Sequence, residues 1–327
     1  MAYDKNKGYG AALKTGFAQT DDQLVSFFDA DGTCDPLFLI PLLKKQEETK
    51  ADIVLGSRMG KDSQMPRLRR LGNLFFAALI NLWAGARIND PASGMRVILR
   101  SSLSKIYPLP DGLHFTPAMS AKAIFNKQLR IEEFPIPYEE RIGESKLSVV
   151  KDGVRFLRAI VETAIIFNPQ RIFTITGLIM ILVSLILALF LAQRYFNSPL
   201  TRDEIIYRLL IIGLLLNTGT LLLGLGYISQ RFLELIHYRK PEPKRKSGFT
   251  ENLFLNHGLL LGMLILTGAT YVFIDIFSNF MNSSQAVSSW PLLVVGTFMF
   301  LLGFQLISFG VMGIIFGAVN SYLGEGK

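Results

Sequence analysis

Four stretches of this chain, roughly residues 172–193, 206–230, 255–280 and 291–319, are apolar for about 20 residues or more. That is the length an α-helix needs to cross the hydrocarbon core of a bilayer. Four such runs in succession are read as a polytopic membrane domain rather than as the core of a large soluble one. Orientation follows from the loops, because Lys and Arg near span ends are retained on the cytoplasmic side. The connector QRFLELIHYRKPEPKRKSG carries Arg231, Arg239, Lys240, Lys244, Arg245 and Lys246, whereas NFMNSSQAVSSW has neither Lys nor Arg. An even number of spans then sets the N-terminal domain, the basic connector and the C-terminus together in the cytoplasm, at the inner or cytoplasmic membrane.

Composition narrows the partners. Much of the net charge of +8 lies where it would face anionic headgroups, so membrane proximity accounts for it and no nucleic acid is expected. Cys34 is the only cysteine, which excludes an intrachain disulfide and a metal site built on cysteines. His114, His237 and His257 are too scattered for a zinc site. The opening MAYDKNKGYG lacks the apolar segment of a cleavable signal peptide. Homo-oligomerisation stays open.

Residues 1–170 mix charged and apolar residues as a soluble α/β protein does. GYGAALKTGFAQT reads as a helix after a tight turn at Gly8 and Gly10. QLVSFFDAD and ADIVLGSR read as buried strands separated by DPLFLIPLLKKQEET, a helix begun near Pro36. Such alternation argues for a parallel sheet with functional loops at strand C-terminal ends. LRRLGNLFFAALINLWAGA is a further helix whose apolar faces are assigned to the core. SGMRVILR is a strand, and LRIEEFPIPYEER an edge strand broken by Pro135 and Pro137. In KDGVRFLRAIVETAIIF, Val154, Leu157, Ile160, Val161, Ala164 and Ile165 share a face, with Lys151, Arg155 and Arg158 elsewhere. It is read as an amphipathic helix along the membrane surface. The expected domains are therefore 1–150, an interfacial helix at 151–170, and the four-span domain 171–327.

FFDADGTCDP ends an apolar strand on Asp29 and Asp31, and Gly32 permits the chain to turn there. Two carboxylates at one point suit a hard cation, Mg²⁺ or Mn²⁺, bridging to the phosphates of a nucleotide. Turns are also rich in Asp for local hydrogen-bonding reasons, so the pair alone leaves both readings open.

The ordered set GYGAALKTG, FFDADGTCDP, ADIVLGSR, DPASGMR and PIPYEERIGESKL resembles family 2 glycosyltransferases. The resemblance is to the branch that moves a sugar from a nucleotide sugar to a polyprenyl phosphate, as dolichyl-phosphate mannose synthases do. It covers residues 5 to about 168 and implies a glycosyltransferase A-type, Rossmann-like α/β domain, followed by the all-α four-span domain. It implies that Asp29 and Asp31 hold the metal on the donor diphosphate, and that Arg58, Arg69 and Asn73 face the lipid phosphate. Arg96, Arg141 and Lys146 are further phosphate candidates. Arg forks near a dianionic donor and acceptor would offset their repulsion and fix their orientation. Some relatives carry an Asp where Gly94 stands; Asp90 is the nearest carboxylate and the candidate catalytic residue. The family implies inversion at the anomeric carbon.

Relatives begin with two further strands, bearing Pro-x-x-Asn-Glu and Asp-Asp-Gly-Ser type motifs, so the domain is expected to be N-terminally incomplete. That expectation supports an alternative function, a catalytically silent membrane protein using the fold remnant for interaction. A lipid-linked sugar transporter is a third reading, resting on the four spans alone, where few charges such as Asp275 occur. A processive synthase would carry a Gln-x-x-Arg-Trp signature, whereas the tryptophans here are Trp83 and Trp290.

Overall fold

The computed structural model describes residues 5–141, 143, 148–197, 201–237, 249–282 and 290–325. It divides into two compact units, Met1–Asn168 and Pro169–Lys327.

Among the described residues, the first unit is built on four strands, β1 Leu24–Phe27, β2 Ile53–Ser57, β3 Arg96–Leu99 and β4 Ile131–Pro135, in the order β1-β3-β2-β4. β4 runs parallel to β2, as a crossover connection requires, but β3 is antiparallel to both β1 and β2. The expected parallel sheet is thus corrected to a mixed one. Three strands run one way and the inserted β3 runs back, with Arg96 paired to Phe27 on one side and Leu55 on the other. β2 is buried along its whole length, and β4 lies at an edge, where its Pro135 costs no ladder bond.

Alternation along these strands feeds two apolar layers. Val25, Phe27, Ile53 and Ile98 pack with Phe17 of α1 (Tyr9–Phe17), Leu103 and Ile106 of α4 (Arg100–Ile106), and Phe115 and Met119 of α5 (Phe115–Phe125). On the opposite face Val54, Met95, Val97 and Ile136 pack with Cys34 and with Leu42 of α2 (Leu39–Thr49). A 3₁₀ turn, Pro36–Phe38, precedes α2, and Asp35 caps it by accepting from the Leu37 amide at 2.9 Å. Pro36 thus opens a 3₁₀ turn, with the α-helix starting three residues later.

α3 (Arg67–Ala84) and α6 (Val149–Phe167) complete the unit. Phe76 meets Phe156 with ring centroids 5.7 Å apart. Within α6, Phe156, Ile160 and Ala164 are buried while Val154 and Ile165 are exposed, so the expected apolar face is split between core and surface. α3 departs from expectation more sharply. It buries Asn73, Ala77 and Ile80 and exposes Leu68, Leu71, Leu74, Phe75 and Leu82, so most of its large apolar residues do not belong to the core.

The second unit contains α7 (Pro169–Asn197), α8 (Arg202–His237), a short α9 (Phe249–Glu251) with a π-helical turn Asn252–His257, α10 (Gly258–Asn282) and α11 (Trp290–Glu325). Among the described residues, four helices are long and apolar enough to cross a membrane, extending past most of the expected boundaries. α8 packs on α7 and on α11, and α10 on α11. Both hairpins cross on paired glycines. A methyl at Gly177 would stand 2.7 Å from the Gly219 carbonyl oxygen, and one at Gly262 would stand 2.8 Å from that of Gly303. Helices in lipid approach this closely through small residues.

Candidate active site

The site forms where β1, β2 and the start of β3 meet. Asp29 and Asp31 lie just past the end of β1, and Gly32 adopts a φ of 79°, the left-handed turn that lets both carboxylates gather there. Each has a dedicated partner. The Tyr9 hydroxyl donates to Asp29 Oδ1 at 2.8 Å, and Thr33 donates to Asp31 Oδ1 from Oγ1 at 2.6 Å and from its amide at 3.2 Å. Arg141 Nη1 stands 3.2 Å from Asp31 Oδ2. Burial pushes the Asp29 carboxyl above the usual carboxylate range, although the Tyr9 bond and the charge of Arg58 hold it down. Burial and the charge of Asp29 push the Tyr9 phenol up, keeping it a donor.

Tyr9 is the site residue that sequence reasoning passed over, and its signal is the GYG triplet. Gly8, at φ 104°, and Gly10 let the 110–111 backbone come close, for a methyl at Gly10 would stand 2.1 Å from the Pro110 carbonyl oxygen. The Gly10 amide donates to the Asp111 carbonyl at 2.7 Å. This contact seats the start of α1 so that Tyr9 reaches Asp29.

Asp90 and Arg58 sit together behind this point. Arg58 donates to Asp90 Oδ2 from its amide at 2.9 Å and from Nε at 2.8 Å, and to Oδ1 from Nη2 at 2.8 Å. Both oxygens of the fully buried Asp90 are therefore engaged by Arg58, which leaves neither facing a substrate proton. Burial would raise the Asp90 carboxyl, but the charge and bonds of Arg58 outweigh it and hold the carboxyl below its usual range. Arg58 also lies over the Tyr138 ring, 5.8 Å from its centroid.

Arg96 is fully buried and donates to the carbonyls of Ser93 at 3.0 Å and Pro91 at 2.9 Å, while its Nη1 has no partner among the described residues. Burial pulls its guanidinium down to about 10. Asn73 spans the same 89–92 loop, donating to the Asn89 carbonyl and accepting from the Ala92 amide. Both residues therefore shape the floor of the site. Arg69 and Arg141 instead line an open cleft of about 420 Å³ with Gln64, Pro66, Tyr138, Glu140 and Gly143. The Gln64 amide donates to the Tyr138 carbonyl at 2.9 Å, which joins the two walls of this cleft. Lys146 lies outside the described residues.

The donor set fits a hard divalent cation. Asp29 and Asp31 would supply carboxylate oxygens, the ligand type that Mg²⁺ and Mn²⁺ prefer. Gly94 keeps this place clear, because a methyl there would stand 1.9 Å from Asp29 Oδ2.

The profile of Glycosyl transferase family 2 matches residues 3–107. A dolichyl-phosphate hexose transferase of Haloferax volcanii is 32% identical over 163 residues, covering 49% of this chain and 69% of that protein. A low-salt glycan biosynthesis hexosyltransferase of the same organism is 28% identical over 310 residues, covering 92% of this chain and 72% of its own. The dolichyl-phosphate beta-glucosyltransferase of Saccharomyces cerevisiae is 27% identical over 178 residues, covering 49% of this chain and 53%, about half, of the yeast protein. Among solved structures, glucosyl-3-phosphoglycerate synthase from Mycobacterium tuberculosis with Mn²⁺ and uridine-diphosphate-glucose matches at 19% identity. That match covers 48% of this chain and 55% of that one with a TM-score of 0.39, too loose to argue from.

Proposed function

We propose that this chain, which belongs to glycosyl transferase family 2, transfers a single sugar from a nucleotide-diphosphate sugar to a polyprenyl phosphate at the cytoplasmic face of the membrane, with inversion. It is a glycosyltransferase and, by its four long apolar helices, an integral membrane protein. The observation that carries the reading is the junction at Arg141, which reaches Asp31 of the carboxylate pair and also lines the cleft shared with Arg69. A donor diphosphate and an acceptor phosphate can both be addressed from that point.

In this reading Asp29 and Asp31 hold Mg²⁺ or Mn²⁺, whose chemistry is to neutralise the departing diphosphate. Tyr9 and Thr33 fix the two carboxylates in advance. Arg69 and Arg141 take the acceptor phosphate, offset its repulsion from the donor and orient its oxygen. That oxygen is already anionic at neutral pH, so no strong general base is needed, and Asp90 acts by holding Arg58 in place. Arg58, Asn73 and Arg96 position the loops around the donor. The exposed apolar residues of α6, Val154 and Ile165, support its reading as an interfacial helix.

The test uses the full chain in membranes with labelled nucleotide sugars, polyprenyl phosphate and Mg²⁺ or Mn²⁺. A lipid-linked sugar of inverted anomeric configuration is expected, lost with chelator. Product that persists after Asp31→Ala would refute the metal assignment. Absence of both product and metal-dependent donor binding would favour a silent interaction protein.

A further inference from the structure

Asp31 keeps one oxygen largely free for a cation, and Arg141 stands on it. Thr33 occupies Asp31 Oδ1 with its hydroxyl at 2.6 Å and its amide at 3.2 Å, which leaves Oδ2, the oxygen 3.2 Å from Arg141 Nη1. On Asp29 the Tyr9 hydroxyl likewise takes Oδ1 and leaves Oδ2 beside Gly94. The freer oxygens of the pair are therefore the two Oδ2 atoms, and one of them is shared with a guanidinium.

Arg141 is anchored so that its side chain can change partner while its backbone stays in place. Two residues earlier the Glu139 amide donates to the Thr33 carbonyl at 3.0 Å, and the Tyr138 carbonyl accepts from the Gln64 amide at 2.9 Å. The backbone leading to Arg141 is thus pinned between the carboxylate turn and the wall of the cleft. The Arg141 side chain is 31% exposed and lines that cleft with Arg69, and its Nε is buried without a partner among the described residues. One of its donors is engaged by Asp31 while another stands unused.

A guanidinium neutralised by a carboxylate has little charge left for a phosphate, and a divalent cation at the same oxygen would repel it. We propose that Arg141 is an exchangeable counter-ion: it leaves Asp31 Oδ2 when a divalent cation takes that oxygen, and turns into the cleft, where with Arg69 it grips a phosphate monoester. Two arginine forks on one phosphate are a strong, oriented clamp. Cation and phosphate then favour each other's binding through one side chain, and the coupling is reciprocal. It rests on the metal and phosphate assignments of the transfer reading and adds to them that neither ligand binds at full strength alone.

The test measures Mn²⁺ binding to the full chain in detergent by electron paramagnetic resonance, with and without farnesyl phosphate, so that no turnover is needed. In the wild type farnesyl phosphate should tighten Mn²⁺ binding about tenfold. Arg141→Gln should do two opposite things: Mn²⁺ alone should bind about fivefold tighter, because its competitor is gone, and the gain from farnesyl phosphate should vanish. Arg69→Gln should reduce that gain and leave the affinity for Mn²⁺ alone unchanged. Uridine diphosphate in place of farnesyl phosphate separates the two sources of phosphate. A gain with the diphosphate that needs Arg141 but not Arg69, with none from farnesyl phosphate, would overturn the cleft as the destination of Arg141. An affinity for Mn²⁺ alone that Arg141→Gln does not change would overturn the exchange itself. Mn²⁺ binding that survives Asp31→Ala at wild-type strength would instead remove the metal assignment beneath it, so the two failures are told apart.

Discussion

Two Asp–Arg pairs stand in the same unit and do opposite things with their charge. Asp90 and Arg58 are closed on each other by three hydrogen bonds, with side-chain exposures of 0% and 11%. Asp31 and Arg141 share a single 3.2 Å contact, with exposures of 19% and 31%, and each has further reach, Asp31 toward Asp29 and Arg141 into the cleft. A buried charge must be fully partnered to be tolerated, and once fully partnered it has little left to offer a ligand. The half-exposed pair keeps its chemistry available because water shares the cost of its charges. Motif position alone made Arg58 and Arg141 equal candidates; the difference lies in what surrounds them.

That contrast can be broken by substitution. Asp90→Ala should cost about 3–5 kcal/mol of stability, since it strands the Arg58 guanidinium in the interior. Thermal unfolding of the purified full chain in detergent measures it. The carboxyl of Asp90 sits below its usual range, so its stabilisation is present above the ordinary value near 3.9 and is lost only as pH falls through the depressed one. The gap in stability between the wild type and Asp90→Asn should therefore be flat from neutral pH down to about 5 and narrow in stronger acid. A gap that closed near neutrality would show the pair to be looser than its geometry.

Asp31→Ala should do the reverse, lowering sugar transfer by about 10²–10³-fold while leaving the unfolding temperature nearly unchanged. A large stability loss in this variant would erase the distinction between the pairs. Gly94→Ala sets a methyl against Asp29 and should cost about 1–3 kcal/mol through overpacking, read mainly as weakened metal-dependent donor binding. Tyr9→Phe has the smallest expected effect, about 1 kcal/mol for one hydrogen bond. The Tyr9 bond favours the charged form of Asp29, so its removal should move the acid limb of metal-dependent donor binding to higher pH.

Local chemistry made part of this legible. The turn at Gly32, the edge strand ended by Pro135 and the four long apolar helices all follow from residues close in sequence, and the family resemblance is confirmed by the matches found. Long-range choices were hidden. The direction of β3 depends on how the chain returns after α3, which strand composition does not encode. α5 escaped because it is buried on every side and shows no polar face to mark its period. The outward stripe of α3 was assigned to the core because periodicity locates an apolar face without saying whether protein or lipid covers it. The Arg58–Asp90 bond joins residues 32 positions apart and had no motif to announce it.

The insertion of β3 between β1 and β2 also sets an order of assembly. β1 and β2 are not neighbours in the sheet, and both wait for residues 96–99 to bridge them. A chain synthesised only as far as Arg58 already carries Asp29, Asp31 and that arginine, yet has no frame on which to mount them. Closing so long a loop is an entropic cost met before the pairing rewards it, which slows folding. Competence to bind a donor should therefore arrive in one late step, when the returning strand docks, rather than accumulate as the earlier segments collapse.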